Sequence, residues 1–282
     1  MPPNVAILGL GLIGGSIGLG LREKDWPVTG WSPSPETRDL ALDRGAVDRA
    51  ASTAEEAVKR VQFIVLAGPI RALPDLFRVV AEAAADGAIV TDVASVKSQV
   101  MRWAGELLPH RLHFVGGHPM AGKELQGVAA AEAALLRGCT YCLVPASEDG
   151  LSAVKEMVAA LEAQTLVLTA EDHDRAVAAA SHLPFIAATA LVRAVATDLP
   201  GLAGSVASSG FRDTTRVAMA SPAMHADVCN FNAPAIDLLI DRLIEELTYL
   251  KAHLHDPAIE AAFQQAAELR KQVPSPSGRG PG

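Results

Sequence analysis

The stretch NVAILGLGLIGGSIGLGLRE, residues 4–23, constrains the fold more than any other part of the chain. It reads as a short buried strand over Val5 to Leu8, a glycine turn, and then a helix. Gly9, Gly11 and Gly14 stand at the spacing of a dinucleotide-binding turn, with Leu12 and Ile13 between the last two. In such a turn the first glycine permits the sharp bend and the second lets the backbone approach a pyrophosphate. The third lets helix and strand pack closely, with phosphate charge facing the helix N-terminus. A glycine-rich turn without a cofactor is the bland alternative, but this one follows a strand, opens a helix and heads a βαβ pattern. A second strand over Val28 to Trp31 ends in VTGWSPS, where NAD-binding versions usually offer Asp or Glu to the ribose hydroxyls. Ser32 stands there instead, and Arg38 lies six residues on. The missing carboxylate removes repulsion toward a 2′-phosphate, so the choice of NAD or NADP stays open with a lean toward tolerating NADP. Pro69, closing the strand FIVLAGP, is a further expected cofactor contact.

Further strand patterns follow at Phe63 to Pro69, Gly87 to Val93, Leu112 to Pro119, Thr140 to Pro145 and Thr165 to Thr169, with alanine-rich amphipathic segments between most of them. Such alternation predicts a mostly parallel sheet covered on both faces, with ligands at the carboxyl ends of the strands. After Thr169 the strand signals stop. Residues 171–199 carry leucines and valines at helical spacing, with a kink or break expected at Pro184. The Gly/Ser run GLAGSVASSG precedes FRDTTRVAMA and a long amphipathic segment from Ala233 to about Lys271. Apolar faces in a modest helical domain need covering, which predicts a homodimer through this half.

At 282 residues the chain has room for two domains. A formal net charge of −8 lacks the basic footprint that nucleic acid or an anionic membrane needs, and points to a small soluble ligand. Three cysteines fit a reducing cytoplasm better than a disulfide framework. Cys139 and Cys142 have a CTYC spacing, yet they sit in a strand-like run without a second pair or a nearby histidine, and read as small apolar residues. The apolar start has no basic leader, so no export signal is read. Ala176 to Ala196 is interrupted by His182, Pro184 and Arg193, and fits a buried helical region better than a membrane span. The end from Val273 on has the composition of a disordered tail.

The segment FVGGHPMAGKE places His118 after two glycines and before a proline, on what reads as a tight turn at a sheet edge. TDVASVK precedes it at the carboxyl end of one strand, so two polar clusters face one expected cofactor cleft. Ser95 could hold the imidazole by a hydrogen bond, and a neutral histidine there can accept a hydroxyl proton. Arg216 in GFRDTTR is a natural bidentate anchor for a carboxylate; the alternative is a surface ion pair with Asp213, three residues earlier. His182 in SHLP reads at least as well as a buried structural histidine. His110, His113, His253 and His255 show no constellation and read as solvated.

GLGLIGGS, DVASVK, GGHPMAGKE, DHDRAVAAASHLP and GFRDTTRVA occur in the order and with roughly the spacings of the prephenate/arogenate dehydrogenase family of tyrosine biosynthesis, which the chain resembles from about Val5 to Asn232. The resemblance implies an α/β, Rossmann-type, mostly parallel sheet domain (1–169), an all-helical substrate and dimerisation domain (170–272), and a tail (273–282). It implies His118 as the base toward a ring hydroxyl, assisted by Ser95, with Arg216 on a substrate carboxylate. Ser181 and Glu124 then line the substrate pocket, and Lys123, His182 and Asp213 are further candidate substrate contacts. The reaction implied is NAD(P)-dependent oxidative decarboxylation of prephenate or arogenate. Three positions depart from the family pattern: Phe185 where many relatives have a second histidine, Lys123 where threonine is common, and His225 where many have tryptophan. Phe185 puts strict prephenate specificity in doubt, and Lys123 either pairs with a substrate carboxylate or points to water. The competing readings are a dehydrogenase of the β-hydroxyacid type, weakened by few lysines before Lys251, and a non-catalytic NAD(P)-binding regulator, for which no basic effector surface is visible.

Overall fold

The structure, a computed structural model, describes residues 2–123, 125–146 and 148–273. One sheet runs in the order β3-β2-β1-β4-β5-β6-β7-β8. Its strands are β1 (Val5–Leu8), β2 (Val28–Trp31), β3 (Arg49–Ala50), β4 (Phe63–Leu66), β5 (Ile89–Asp92), β6 (His113–Pro119), β7 (Thr140–Pro145) and β8 (Gln164–Val167). β1 pairs in parallel with both β2 and β4, so the chain reverses its lateral direction beside β1. Such a reversal opens a crevice at the carboxyl edge, where ligands of these sheets sit.

Every residue of β1 and β4 is buried, as expected of strands covered on both faces. On one face Ala6, Leu8, Ile64 and Leu66 pack with α3 (Ala54–Val58), α4 (Leu73–Ala83) and α5 (Ser98–Leu107). On the other, Val5, Ile7, Phe63 and Val65 pack with α1 (Leu12–Arg22), α2 (Pro35–Asp43) and α6 (Leu151–Ala160). The second half is helical: α7 (Ala170–Val177), α8 (Leu183–Ala194), α9 (Leu202–Ser205), α10 (Ser209–Thr215), α11 (Pro222–Phe231), α12 (Ala233–Ala252) and α13 (Ala258–Gln272). It joins the first core through Ala178, Val228 and Ile236, and Phe231 of α11 meets Trp103 of α5 edge-on, centroids 5.3 Å apart.

The expected strands are present, most of them shorter at their ends. β3 was not anticipated, because two residues carry no alternation to read. β7 runs antiparallel to β6. Among the described residues after Pro119 no α-helix carries the chain back to the amino edge; instead two 3-10 turns, Val128–Ala130 and Ala133–Leu136, lie against α1. Val128, Ala131 and Leu136 are buried there, and the Glu132 N–H donates to Ser16 Oγ at 3.0 Å. β7 therefore re-enters from the edge that β6 left.

The break expected at Pro184 falls earlier. A π-helical turn, Ala178–His182, links α7 to α8, and Pro184 sits near the start of α8. Proline has no N–H to offer the carbonyl four residues back, so the wider turn lies where the regular ladder is interrupted. The long amphipathic segment is two helices, α12 and α13, parted around residues 253–257. Burial of residues 176–196 needs correction: only Ala188 of α8 is fully covered in the single chain. The run Ala170–Ala194 is long and apolar enough to cross a membrane by length and composition. It also carries His173, Asp174 and His182, buried and bonded to other polar groups, as a helix of a folded polar core does. The tail expectation falls mostly on residues 274–282, outside the described residues.

Candidate active site

The turn after β1 is shaped by backbone crowding. Gly9 adopts φ +115°, and a Cβ there would stand 2.4 Å from the Ala67 carbonyl carbon. At Gly14 a Cβ would stand 1.9 Å from the Gly9 oxygen, which fixes the close approach of α1 to the turn. At Gly11 it would meet nothing within 4 Å: the backbone that starts α1 faces open space. α1 has no side-chain cap and no acidic residue in its first turn, so its N–H groups are left for an anion. These features fit a pyrophosphate held by Gly9, Gly11, Leu12, Ile13 and Gly14. At the end of β2, Arg38 folds back and donates from Nη1 to the Ser32 carbonyl at 2.6 Å, placing a guanidinium beside the position where a carboxylate was missing. Pro69 follows β4 and caps a 3-10 turn.

His118 does not sit on a turn. It lies within β6, paired with Cys142 of β7, and β6 is flanked on both sides by strands. The two preceding glycines serve close approach instead. A Cβ at Gly117 would stand 2.5 Å from the Asp92 oxygen, and one at Gly116 would stand 3.2 Å from Cδ of Lys97. Lys97 passes through that space fully buried, ion-paired with Asp92 and donating from Nζ to the Gly117 carbonyl at 2.8 Å. Asp92 also accepts from the Gly117 N–H at 3.0 Å and the Ala94 N–H at 2.8 Å. This pair ties the carboxyl end of β5 to β6 immediately before His118.

The His118 ring is nearly covered, 8% exposed, rather than perched at a rim. Its Nδ1 lies 2.9 Å from Nε2 of His173, whose Nδ1 lies 2.8 Å from Oδ1 of Asp174. Asp174 in turn accepts from the backbone N–H groups of Lys97 (2.7 Å) and Ser98 (2.8 Å) at the start of α5. Burial, then His173, Lys97 and His182, hold the His118 pKa well below the ordinary histidine value, against the opposing pull of Asp174. The ring is therefore neutral at neutral pH, the state a proton acceptor needs. The expected hydrogen bond from Ser95 is corrected: among the described residues none joins Ser95 to the ring, and His173 occupies Nδ1. His173, Asp174, Lys97 and Asp92 all lie in quoted motifs but were not singled out, because burial depth cannot be read from an isolated polar residue.

A family model described as "Prephenate dehydrogenase, nucleotide-binding domain" matches residues 17–168, and one described as "Prephenate dehydrogenase, dimerization domain" matches residues 169–269. A prephenate dehydrogenase of Bacillus subtilis is 33% identical over 94% of this chain and 73% of its own length. The chain belongs to the prephenate dehydrogenase family.

Among solved members of the prephenate dehydrogenase family, the A. aeolicus enzyme in complex with hydroxyphenyl propionate and NAD+ superposes with a TM-score of 0.87 at 27% identity, covering 97% of this chain and 99% of that one. Arogenate dehydrogenase from Synechocystis gives 0.80 at 32% identity, covering 95% and 99%. Membership argues against the β-hydroxyacid reading. The remaining site residues are placed as follows. Arg216 and Asp213 are exposed at the end of α10, and α10 with the 3-10 turn Arg216–Met219 packs on α8. Ser181 is exposed on the π turn. His182 points inward, 4% exposed, with Nδ1 3.2 Å from Nδ2 of Asn232, an arrangement that fits the structural reading. Lys123 pairs with Glu132, a partner neither expectation foresaw. Phe185 and His225 stack face to face, centroids 3.5 Å apart, so the two departures from the family pattern form one aromatic pair. Glu124 lies outside the described residues. The cysteines are free, and burial pushes the Cys139 thiol up to about 11, which keeps it protonated.

Proposed function

We propose that this chain catalyses the NAD(P)-dependent oxidative decarboxylation of prephenate, arogenate or both in tyrosine biosynthesis. The observation that carries the reading is His118: a neutral imidazole near the carboxyl end of a strand, with one nitrogen engaged by the protein. β6 is three strands from β1, roughly 14 Å along the sheet edge, and a dinucleotide anchored at the glycine turn would run along it.

Bound NAD(P) would supply the acceptor for the hydride given up at the hydroxyl-bearing ring carbon. His118 takes the hydroxyl proton, and departure of the ring carboxylate as carbon dioxide leaves an aromatic ring, which makes the step effectively irreversible. Gly9, Gly11, Leu12, Ile13 and Gly14 hold the pyrophosphate, Pro69 borders it, and Ser32 with Arg38 receives the ribose end. Arg216 binds a substrate carboxylate, with Ser95, Ser181, Asp213, Lys123 and Glu124 around the substrate. Phe185 stands where many relatives have a second histidine, so a polar contact to the substrate is lost at that position, which supports use of arogenate beside prephenate. Residues 1–169 form the dinucleotide domain and 170–272 the helical domain, through which two copies pair. A reducing cytoplasm is the compartment its free cysteines support.

The test follows reduced nicotinamide with each of the two substrates and each of the two cofactors. Turnover of at least one substrate is expected, with NADP accepted; no turnover with either substrate removes the assignment, and strict NAD use removes the role of Arg38.

A further inference from the structure

We propose that His173 and Asp174 are positioning residues that fix the tautomer of His118, leaving the lone pair on its Nε2 for the substrate proton. The inference rests on reading His118 as the base.

The chain of donors admits one direction. Asp174 accepts the backbone N–H groups of Lys97 and Ser98, one on each oxygen, and its carboxyl is held below its ordinary pKa by bonds from His173, Ser98 and Lys97 that outweigh its burial. It is therefore an anion and can only accept, so the 2.8 Å contact requires His173 to donate from Nδ1. A neutral His173 then carries its lone pair on Nε2. The 2.9 Å contact to His118 closes only if His118 donates from Nδ1, and its Nε2 is left unprotonated. The alternative, a cationic His173 donating from both nitrogens, would turn His118 around into an Nε2–H donor with no basic site on that side. It would also bury a second cation near Lys97, whose fully covered ammonium already needs Asp92.

The same logic sets ring orientation. The two imidazoles meet at 64° with centroids 5.1 Å apart, so His173 engages the His118 ring at its edge. Asp174 is anchored by α5 and, through its carbonyl, by Nδ2 of Asn232 at 2.9 Å. The relay thus links the first turn of α5, the start of α7 and the N-terminal end of α12 to one ring. It moves no proton of its own. The hydroxyl proton stops at His118 Nε2, and the resulting imidazolium keeps its Nδ1–H on a lone pair backed by a carboxylate. Among the described residues, the charged and titratable groups around His118 are Lys97 just before α5, His173 and Asp174 from α7, His182 from the π turn and Cys142, its partner on β7.

Three measurements on the full chain test this. Nitrogen NMR of histidine-labelled protein at neutral pH should show His118 as the neutral Nδ1–H form; an Nε2–H form overturns the proposal. His173→Phe, which removes donor and acceptor at similar volume, should lower kcat on the order of 100-fold with KM changed only a few-fold. His173→Gln, which can accept from His118 and donate to Asp174, should recover most of that loss. A folded His173→Phe protein with full kcat overturns the proposal; if that variant does not fold, NMR on the unsubstituted protein and His173→Gln decide. His118→Asn, measured alongside, separates the two claims. Full activity there removes the base itself, whereas loss there with normal His173 variants removes only the relay.

Discussion

At the scale of single residues, two histidines buried as neutral rings couple the fold to pH. Burial is the first cause in both: it holds His118 well below the ordinary value and His182 at about 4. In the unfolded chain each takes up a proton near pH 6.5, while the folded chain refuses it until a lower pH. Their contribution is therefore complete above about pH 6.5 and is lost as pH falls toward the folded values, with a slope approaching about 1.4 kcal/mol per pH unit for each ring. Urea unfolding at several pH values between 7.5 and 5 should show that loss, and His182→Gln should flatten it by one ring's share; an unchanged slope would mean that His182 titrates freely. Sequence alone marked His118 through its neighbours and its motif, but for His182 it favoured a buried structural role only slightly over a substrate contact. Nothing in SHLP says that Asn232, fifty residues on, closes against that imidazole.

At the scale of elements, β6 shows how a glycine pair can be misread. Two glycines before His-Pro suggest a turn, since turns are where glycine is most often needed. Here a tertiary demand decides: the Lys97 side chain crosses beneath the strand. Gly117→Ala would push a methyl against the Asp92 carbonyl and Thr91 Oγ1, at 2.5 and 2.9 Å, and backbone cannot yield as a side chain does. Overpacking of this kind costs about 1–3 kcal/mol. Gly116→Ala meets Met101 Sδ at 3.0 Å, a flexible neighbour, and should cost less. Chemical denaturation of both variants should rank Gly117→Ala as the weaker protein, with a larger loss of turnover because its strain lies next to His118; the reverse order would mean that β6 shifts freely. The strands themselves were legible because buried parallel strands are short apolar runs. The antiparallel return of β7 was not, since its direction depends on 3-10 turns that pack on α1 and carry no periodic signal. The π turn escaped for a similar reason: proline predicts a break without giving its form.

At the scale of the molecule, the helical half leaves apolar surface that its own chain does not cover. In α12, Leu238, Ile244 and Leu247 are each more than half exposed, and in α13 Phe263 and Leu269 are too. Scattered single apolar residues on a surface need no explanation, but these recur along two consecutive helices. The amphipathic pattern in the sequence located this face, and the matched dimerization-domain model covers it. What the sequence could not supply was the degree to which α8, with only Ala188 fully buried, shares in that exposure. A second copy of the chain is the occupant we propose. Sedimentation should give twice the 29.4 kDa chain mass at micromolar concentration. Leu247→Asp with Ile244→Asp should shift that to a single chain, because two carboxylates buried without partners cost more than the lost apolar contact. Since α10 and the turn bearing Arg216 pack on α8, dissociation should also raise the substrate KM more than it lowers cofactor affinity; a monomeric wild-type chain with full activity would show that the exposed helices serve another purpose.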